Sequence, residues 1–460
     1  MPKITEEELK HFKTLHFIGI GGSGMYPIVQ ILHSQGFKIQ GSDNNPGDNI
    51  NREESIGIKV FMGHKKENIE GADAVVFSAA IMKDNPELKA AYEKGIPVIE
   101  RSEMLGLLSR RCKNCICVSG THGKTTTTAM LTHILISAGM DPGAVIGGKI
   151  NAIGGSGRAG KSENMAIEAC EFQDTFLHLS PDIAVILNVD EDHMEYFKTL
   201  GNLKNSFSRF AKSATKAVVF NNDDHNTLDC IRELDTELVS FGKTNKSRFY
   251  YENLVWKDGA HCTFDLMENG RKLTDISLSV PGEHNVLNAV AAAASAIAAG
   301  ASVQGVREGL LAFQGVHRRF EILGSFNGVT VADDYAHHPA ELEVTLKAAK
   351  NLGFKRVWAV FQPFTFSRTK MLLDDFAKAL SIADKVVMSK IMGSREINTY
   401  NIYTKDLGEK IDGAVWFEEF SEIADYVRAN AKEGDLVITL GCGDVYKCAH
   451  MILKDGEYQQ

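Results

Sequence analysis

Short apolar runs alternate with segments of helical periodicity along almost the whole chain. Near the N-terminus, LHFIGI, FKIQGSD, DAVVFSA and PVIE predict four strands, with helices over Met25–Gln35 and NPELKAAYEKG. Gly36 stands where a left-handed residue would cap the first helix. Strands alternating with helices build a parallel sheet. Further on, ICVSG, NMAIEAC, DIAVILNV and KAVVFNN are apolar on both faces, as buried parallel strands are. Between Arg248 and Val280 the pattern shortens to alternating segments with turn signals at Asp258-Gly259 and Asn269-Gly270. That predicts an antiparallel excursion. Helices follow over His284–Ala299 and Val303–Phe313. EILGSFNGVTVADD then predicts a hairpin around Asn327-Gly328, and RVWAVFQP, ADKVVMSK, GAVWFEEF and DLVITLGCG add further βα units. Three blocks result: residues 1–111, 112–319 and 320–460. No solenoid repeat or low-complexity linker interrupts them.

Composition narrows the class. A chain of 460 residues has room for two to four domains. Its 44% hydrophobic and 24% charged content is that of a globular protein. The formal net charge of −9 argues against nucleic-acid partners and membrane surfaces, but not against small anions held by local glycine loops. The N-terminal MPKITEEELKHFK is charged, and no apolar run is long enough to span a bilayer, so a cytoplasmic protein with no membrane insertion is expected. Eight cysteines scattered through strand-like segments read as buried thiols. Cys112, Cys115 and Cys117 lie close together, but no second pair follows at zinc-site spacing.

Two glycine-rich turns carry the chemistry. Gly19-Ile-Gly21-Gly22-Ser23-Gly24 follows a strand and opens a helix, and Asp43 ends the next strand. This fits a dinucleotide fingerprint, although its physics only requires a diphosphate at a helix N-terminus. The second turn is Gly120-Thr121-His122-Gly123-Lys124-Thr125-Thr126, again between strand and helix. Backbone amides there converge on phosphate, Lys124 adds a charge, and Thr125 can hold Mg²⁺. The leading glycine of the common phosphate-loop spacing is missing, Val118 standing in its place. A nucleoside triphosphate is the expected energy source. Acids follow at strand ends: Glu168 and Glu171, then Asp190, Glu191 and Asp192 with His193. Carboxylates at the carboxyl ends of parallel strands face the phosphate crevice, which makes Glu168 and His193 candidate Mg²⁺ partners. The plainer alternative is a solvated loop residue at each position.

The motifs GTHGKTT, ILNVDEDHMEYF, PGEHNVLNAVAA, HRRFE and DDYAHHP occur in that order, and with FQPFTFSRT they resemble the Mur ligases of peptidoglycan synthesis. The resemblance covers essentially the whole chain and is strongest to members that join L-alanine to UDP-N-acetylmuramate. It implies an α/β fold in three domains. These are a Rossmann-like N-terminal domain binding the UDP substrate, a central P-loop domain with an antiparallel excursion binding ATP and Mg²⁺, and a Rossmann-like C-terminal domain binding the amino acid. Gly21, Gly22, Ser23 and Gly24, with Ser42 and Asp43, would then face uridine diphosphate. ATP would phosphorylate the muramoyl carboxylate, and the alanine amine would displace phosphate from the acyl phosphate. Lys124 would neutralise the moving charge. Thr125 and Glu168 would hold one Mg²⁺ and His193 a second, His193 being also a candidate base. Asn285, Asn288, Arg319 and Asp334 would contact the nucleotide, with His284 at the same helix start. Tyr335, His337 and Arg368 would line the amino-acid side, Arg368 pairing with the alanine carboxylate.

The chain departs from its relatives at two points. Members adding later residues commonly carry a carbamylated lysine near the position of Phe207, and many members have His-Arg or His-Thr where this chain has Phe364-Thr365, so one cleft arginine of some relatives is missing. Within the family the alternative is a ligase attaching a recycled tripeptide, whose amino-acid segment differs from FQPFTFSRT. Outside it, a dehydrogenase using the first glycine turn for NAD leaves Lys124, Glu168 and His193 without a task. A nucleotide-controlled binding protein with a dead site is at odds with the presence of all of these groups. Hinges are expected near Cys112 and Arg319, with closure on ATP, and the oligomer as a monomer or homodimer.

Overall fold

The computed structural model describes residues 4–257, 261–394, 396–454 and 457–458, which form three sheets. The first contains β1 (Thr14–Ile18), β2 (Lys38–Asp43), β3 (Lys59–Met62), β4 (Ala74–Phe77) and β5 (Val98–Glu100). Its order is β3-β2-β1-β4-β5, and every pairing is parallel. The connections therefore diverge on either side of β1, which makes its carboxyl end the switch point where such sheets bind ligands. Leu15, Phe17 and Ile18 are fully buried there.

The second sheet contains β6 (Asn114–Ser119), β7 (Gly143–Ile150), β8 (Gly155–Arg158), β9 (Asn164–Glu168) and β10 (Ile183–Ile186). It continues with β11 (Ala217–Asn221), β12 (Glu237–Phe241), β13 (Phe249–Lys257), β14 (His261–Glu268) and β15 (Arg271–Leu278). Its order is β15-β14-β13-β12-β11-β10-β6-β9-β7-β8. β6 lies between β9 and β10 and is parallel to both. The antiparallel excursion appears as β13–β15. Asn269 and Gly270 turn between β14 and β15 with φ of 48° and 78°, the positive pair that two-residue hairpins require. The Asp258-Gly259 turn lies outside the described residues.

The third sheet contains β16 (Glu321–Phe326), β17 (Val329–Asp334), β18 (Val357–Phe361), β19 (Lys385–Ser389), β20 (Val415–Phe417), β21 (Leu436–Leu440) and β22 (Glu457–Tyr458). Its order is β20-β19-β18-β21-β17-β16-β22, with β17 to β20 parallel and β16 antiparallel to β17 and β22. Asn327 and Gly328 make the expected hairpin turn, with φ of 47° and 76°.

The chain divides into two compact units. One comprises residues 1–254, 263–278 and 284–313; the other comprises 255–262, 279–283 and 314–460. In the first, one core cluster runs from Phe17 through Leu105, Cys115, Ile167 and Phe176 to Phe207. Phe207 is fully buried and meets Phe176 edge to face at 5.2 Å, while Phe176 stacks on Phe210 at 4.7 Å. Each such ring contributes about 1.5–3 kcal/mol by burial alone. Phe207 is thus an aromatic core residue of the helix Leu200–Lys212. Cys115 and Cys117 are fully buried neighbours on β6, so these thiols fill the core.

The structure adds elements that the apolar pattern passes over. β3 is an edge strand whose four residues are only partly covered, so its sequence KVFM carries little alternation. β7 and β8 are glycine-rich, and glycine carries no hydrophobic signal.

Candidate active site

The phosphate loop grows out of β6. Val118 is a fully buried strand residue paired with Glu168 on β9, and the strand runs on through Ser119. The missing leading glycine is therefore a strand position, and the turn itself is confined to residues 120–123. Gly120 has φ of 140°, and a Cβ there would sit 2.9 Å from Leu187 Cβ. Gly123 has φ of 85° and begins the helix Lys124–Ser137. A Cβ on Gly123 would lie 2.6 Å from Asn288 Oδ1. Asn288 in turn donates to Asn285 Oδ1 at 3.2 Å, so both predicted asparagines stand behind the loop on the helix Glu283–Ala298.

Asn188, which follows β10, holds the loop's outer edge. Its Oδ1 accepts from the His122 amide at 2.8 Å and its Nδ2 donates to the His122 carbonyl at 3.0 Å. The Thr121 hydroxyl accepts from the Asp190 amide at 2.9 Å. Thr126 is half-buried on the first helical turn. Lys124 Nζ donates to the Gly120 carbonyl at 2.6 Å and to both oxygens of Glu171, at 2.9 and 2.8 Å. Burial disfavours the ammonium form, but Glu171 overrides it and holds Lys124 protonated well above its ordinary range. Glu171 is 1% exposed. The sequence marks it as an acid after a strand, and nothing in the motif shows that it meets Lys124.

Thr125 Oγ1 donates to Glu168 Oε1 at 2.9 Å, and the Gly147 amide donates to Glu168 Oε2 at 2.6 Å. β9 ends at Glu168, short of the predicted NMAIEAC. His193 adopts a left-handed conformation, φ 54°, and its ring lies 4.6 Å from that of Phe172. Ligating atoms of Glu171, Asp192 and His193 all lie within 4.8 Å of one another. Two oxygen-rich groups thus flank Lys124, a donor set suited to hard divalent cations.

At the first glycine turn, Gly19 turns with φ of 75° and donates to the Ser42 carbonyl at 2.7 Å. The Gly21 amide donates to Asp43 Oδ2 at 3.1 Å, and Gly22 and Ser23 are exposed. Gly24 lies against the Arg101 guanidinium. The Ser42 side chain is fully buried, its hydroxyl donating to Glu87 Oε2 at 2.6 Å. Ser42 therefore backs the turn through its carbonyl.

In the second unit, Asp334 ends β17. It accepts from the amides of Phe320 at 2.7 Å and Ala336 at 2.8 Å. Burial pushes its carboxyl up to about 6, against the pull of Arg319. Arg319 and Arg318 lie over the Tyr335 ring, at 5.3 and 5.1 Å from its centroid. Arg318 is structural here, pairing with Asp333 at 2.8 Å and donating to the carbonyls of Gly441 and Gly443. His337 Nδ1 lies 3.1 Å from the Tyr335 carbonyl and 3.3 Å from Glu341. Burial holds its imidazole below the usual range; Arg368 pushes the same way and Glu341 opposes. Arg368 sits on the helix Phe366–Met371, whose start Thr365 caps.

A parallel sheet ending in a phosphate loop, with a clasped lysine and flanking oxygen donors, defines an enzyme that handles nucleoside triphosphate. Three family descriptions match this chain: the Mur ligase family catalytic domain over residues 14–113, the Mur ligase middle domain over 118–296, and the Mur ligase glutamate ligase domain over 318–443. The chain belongs to the Mur ligase family. It is 42% identical over 451 residues to the UDP-N-acetylmuramate–L-alanine ligase of Acetivibrio thermocellus, covering 96% of each chain. It is 43% identical to the enzyme of that name from Caldanaerobacter subterraneus subsp. tengcongensis, covering 98% of this chain and 100% of the relative. Among solved structures, the UDP-N-acetylmuramate-alanine ligase of Thermotoga maritima superposes with a TM-score of 0.81 at 29% identity, over 97% of this chain and 99% of that one.

Proposed function

We propose that this chain is an ATP-dependent ligase that joins L-alanine to UDP-N-acetylmuramate through an acyl phosphate, in peptidoglycan synthesis. The observation that carries this is the phosphate loop with Lys124 clasped between Gly120 and Glu171 and with Thr125 paired to Glu168. It occurs in a chain alike over nearly its full length to relatives bearing that activity in their names. ATP is accordingly the co-substrate.

The chemistry follows from charge. A free carboxylate is a poor electrophile. One of its oxygens attacks the γ-phosphorus of ATP, ADP leaves, and the resulting acyl phosphate carries a good leaving group. The L-alanine amine then attacks the acyl carbon, phosphate departs with the bonding pair, and the amine proton passes to a base or to water. Lys124 stabilises the charge that gathers on the transferring phosphoryl oxygens. Mg²⁺ is assigned to Thr125 and Glu168, with His193 for a second ion, where it would neutralise the triphosphate. Gly120, Thr121, His122, Gly123 and Thr126 are assigned to the phosphates. Asn285, Asn288, Arg319 and Asp334 are assigned to the rest of the nucleotide. Gly21, Gly22, Ser23, Gly24 and Asp43 are assigned to the uridine diphosphate, with Ser42 backing them. Tyr335, His337 and Arg368 are assigned to L-alanine. The corresponding domains are 1–111, 112–319 and 320–460. No helix among the described residues is long and apolar enough to cross a membrane.

The test supplies UDP-N-acetylmuramate, ATP, Mg²⁺ and single amino acids and follows phosphate release. Release that requires L-alanine is expected. Release indifferent to any amino acid or peptide overturns the ligase reading, and a preference for glycine or serine overturns only the choice of amino acid.

A further inference from the structure

The turn after Glu171 carries two successive left-handed residues that are not glycine, Gln173 with φ of 53° and Asp174 with φ of 59°. A side chain disfavours this region, so a turn of this kind persists only where its surroundings hold it. Asp174 supplies the hold through both carboxylate oxygens. One accepts from the Ser206 hydroxyl, on the helix Leu200–Lys212. The other accepts from the Tyr196 hydroxyl at 2.9 Å. The Ser206 end is anchored in the core: Ser206 is buried, and its neighbours Phe207 and Phe210 pack on Phe176, two residues beyond Asp174.

The Tyr196 end reaches the active site. Tyr196 lies on the four-residue helix Met194–Phe197, which His193 opens. The His193 carbonyl accepts from the amides of Tyr196 at 2.9 Å and Phe197 at 3.1 Å, so a shift of Tyr196 carries His193 with it. A single helical turn has little stability of its own. This one is also entered and left through left-handed residues, His193 and Lys198, with φ of 54° and 67°. Tyr196 is 40% exposed, so its burial holds the segment only weakly. The strained turn grips it at two points: the Phe172 ring lies 4.6 Å from that of His193, and Asp174 takes the Tyr196 hydroxyl. Glu171 heads the same turn and brings a carboxylate oxygen within 4.8 Å of the ligating atoms of Asp192 and His193. The spacing of Glu171 and His193 is thus set by one short stretch of chain and one hydrogen bond.

We propose that Asp174 and Tyr196 are positioning residues, whose hydrogen bond latches His193 beside Glu171 for phosphoryl transfer; the proposal rests on the functional reading above. The test compares full-length wild type with Tyr196→Phe, Asp174→Asn, Asp174→Ala, His193→Ala and Tyr196→Phe/His193→Ala. Steady-state phosphate release gives kcat and KM, and electron paramagnetic resonance follows Mn²⁺ binding in the presence of ADP. Tyr196→Phe removes one hydroxyl from a partly exposed ring and leaves the fold in place. It should lower kcat by about tenfold, leave the KM for UDP-N-acetylmuramate unchanged, and weaken Mn²⁺ binding. Asp174→Ala should do the same. Asp174→Asn keeps an acceptor and tolerates the left-handed backbone, so it should stay close to wild type. In the His193→Ala background, Tyr196→Phe should cost nothing further in rate or in Mn²⁺ binding, because the hydroxyl acts through His193. The binding cycle decides where His193→Ala leaves too little rate to measure. Tyr196→Phe with wild-type kcat and Mn²⁺ binding overturns the proposal. So do losses that add in the double variant, which would give the hydroxyl a task of its own. A raised KM for UDP-N-acetylmuramate at constant kcat overturns it too, by making Tyr196 a substrate contact. Wild type that releases no phosphate in response to L-alanine overturns the functional reading itself, and this proposal with it.

Discussion

The Lys124 ammonium is held by both carboxylate oxygens of Glu171, at 2.9 and 2.8 Å, and the acid is almost fully buried beneath it. Removing one member of such a pair strands the other's charge. Lys124→Ala is expected to cost about 3 kcal/mol in urea unfolding, with Lys124→Ala/Glu171→Ala regaining part of that. Acyl-phosphate formation, followed by rapid quench, should fall at least ~100-fold while UDP-N-acetylmuramate still binds. Loss of both functions together would show that the two substrates share this loop.

Thr125 and Glu168 should govern the dependence on divalent cation. Thr125→Val and Glu168→Gln each remove an oxygen donor suited to Mg²⁺. The Mg²⁺ concentration for half-maximal rate should rise by about tenfold, equal to about 1.4 kcal/mol of lost binding. A Mg²⁺ titration that superposes on wild type would remove both residues from the metal assignment.

Gly123 is tested by a single methyl group. Its φ of 85° disfavours any side chain, and the added Cβ would press on Asn288 Oδ1. Gly123→Ala should destabilise the fold by roughly 1 kcal/mol and raise the KM for ATP. Adding Asn288→Ala relieves the contact but not the backbone strain, so it should recover only part. Full recovery would mean that crowding alone sets the cost.

Glu53 provides a pH test. It is fully buried on the helix Asp48–Ser55, and neither carboxylate oxygen has a hydrogen-bond partner among the described residues. Burial, and then the Asp43 charge, push its carboxyl up to about 8, against 4.5 for an ordinary glutamate. Between those values the folded chain keeps a proton that the unfolded chain releases. The contribution is whole below pH 4.5 and is lost as pH rises through 8. Glu53→Met has no such proton, so its stability relative to wild type should grow by about 1.4 kcal/mol per pH unit across this window. Urea unfolding at pH 5, 6.5 and 8 measures it; parallel curves would mean that Glu53 is ionised in the fold.

Much of the site could be read from the sequence because it is local. Ile116 to Thr126 passes from an apolar β-branched run to glycines and then to a helix, and each step is a backbone requirement written in neighbouring residues. The hairpin turns at Asn269-Gly270 and Asn327-Gly328 were legible for the same reason, since only such pairs tolerate two positive φ values. β3 was not legible, because an edge strand needs no apolar alternation, and β7 and β8 were hidden by their glycines.

By itself, then, the sequence determined the strand-to-turn-to-helix units, the α/β class and the residue types available for phosphate chemistry. Only the tertiary structure decided which of them meet. It paired Lys124 with Glu171 rather than Glu168, gave Glu168 to Thr125 and Gly147, and turned the Ser42 hydroxyl inward to Glu87. It also set Arg101 against Gly24, 77 positions away in the sequence. Short-range steric rules fix a turn within a few residues. Partners across parallel strands depend on the order and register in which the sheet assembles, and no local pattern encodes that order.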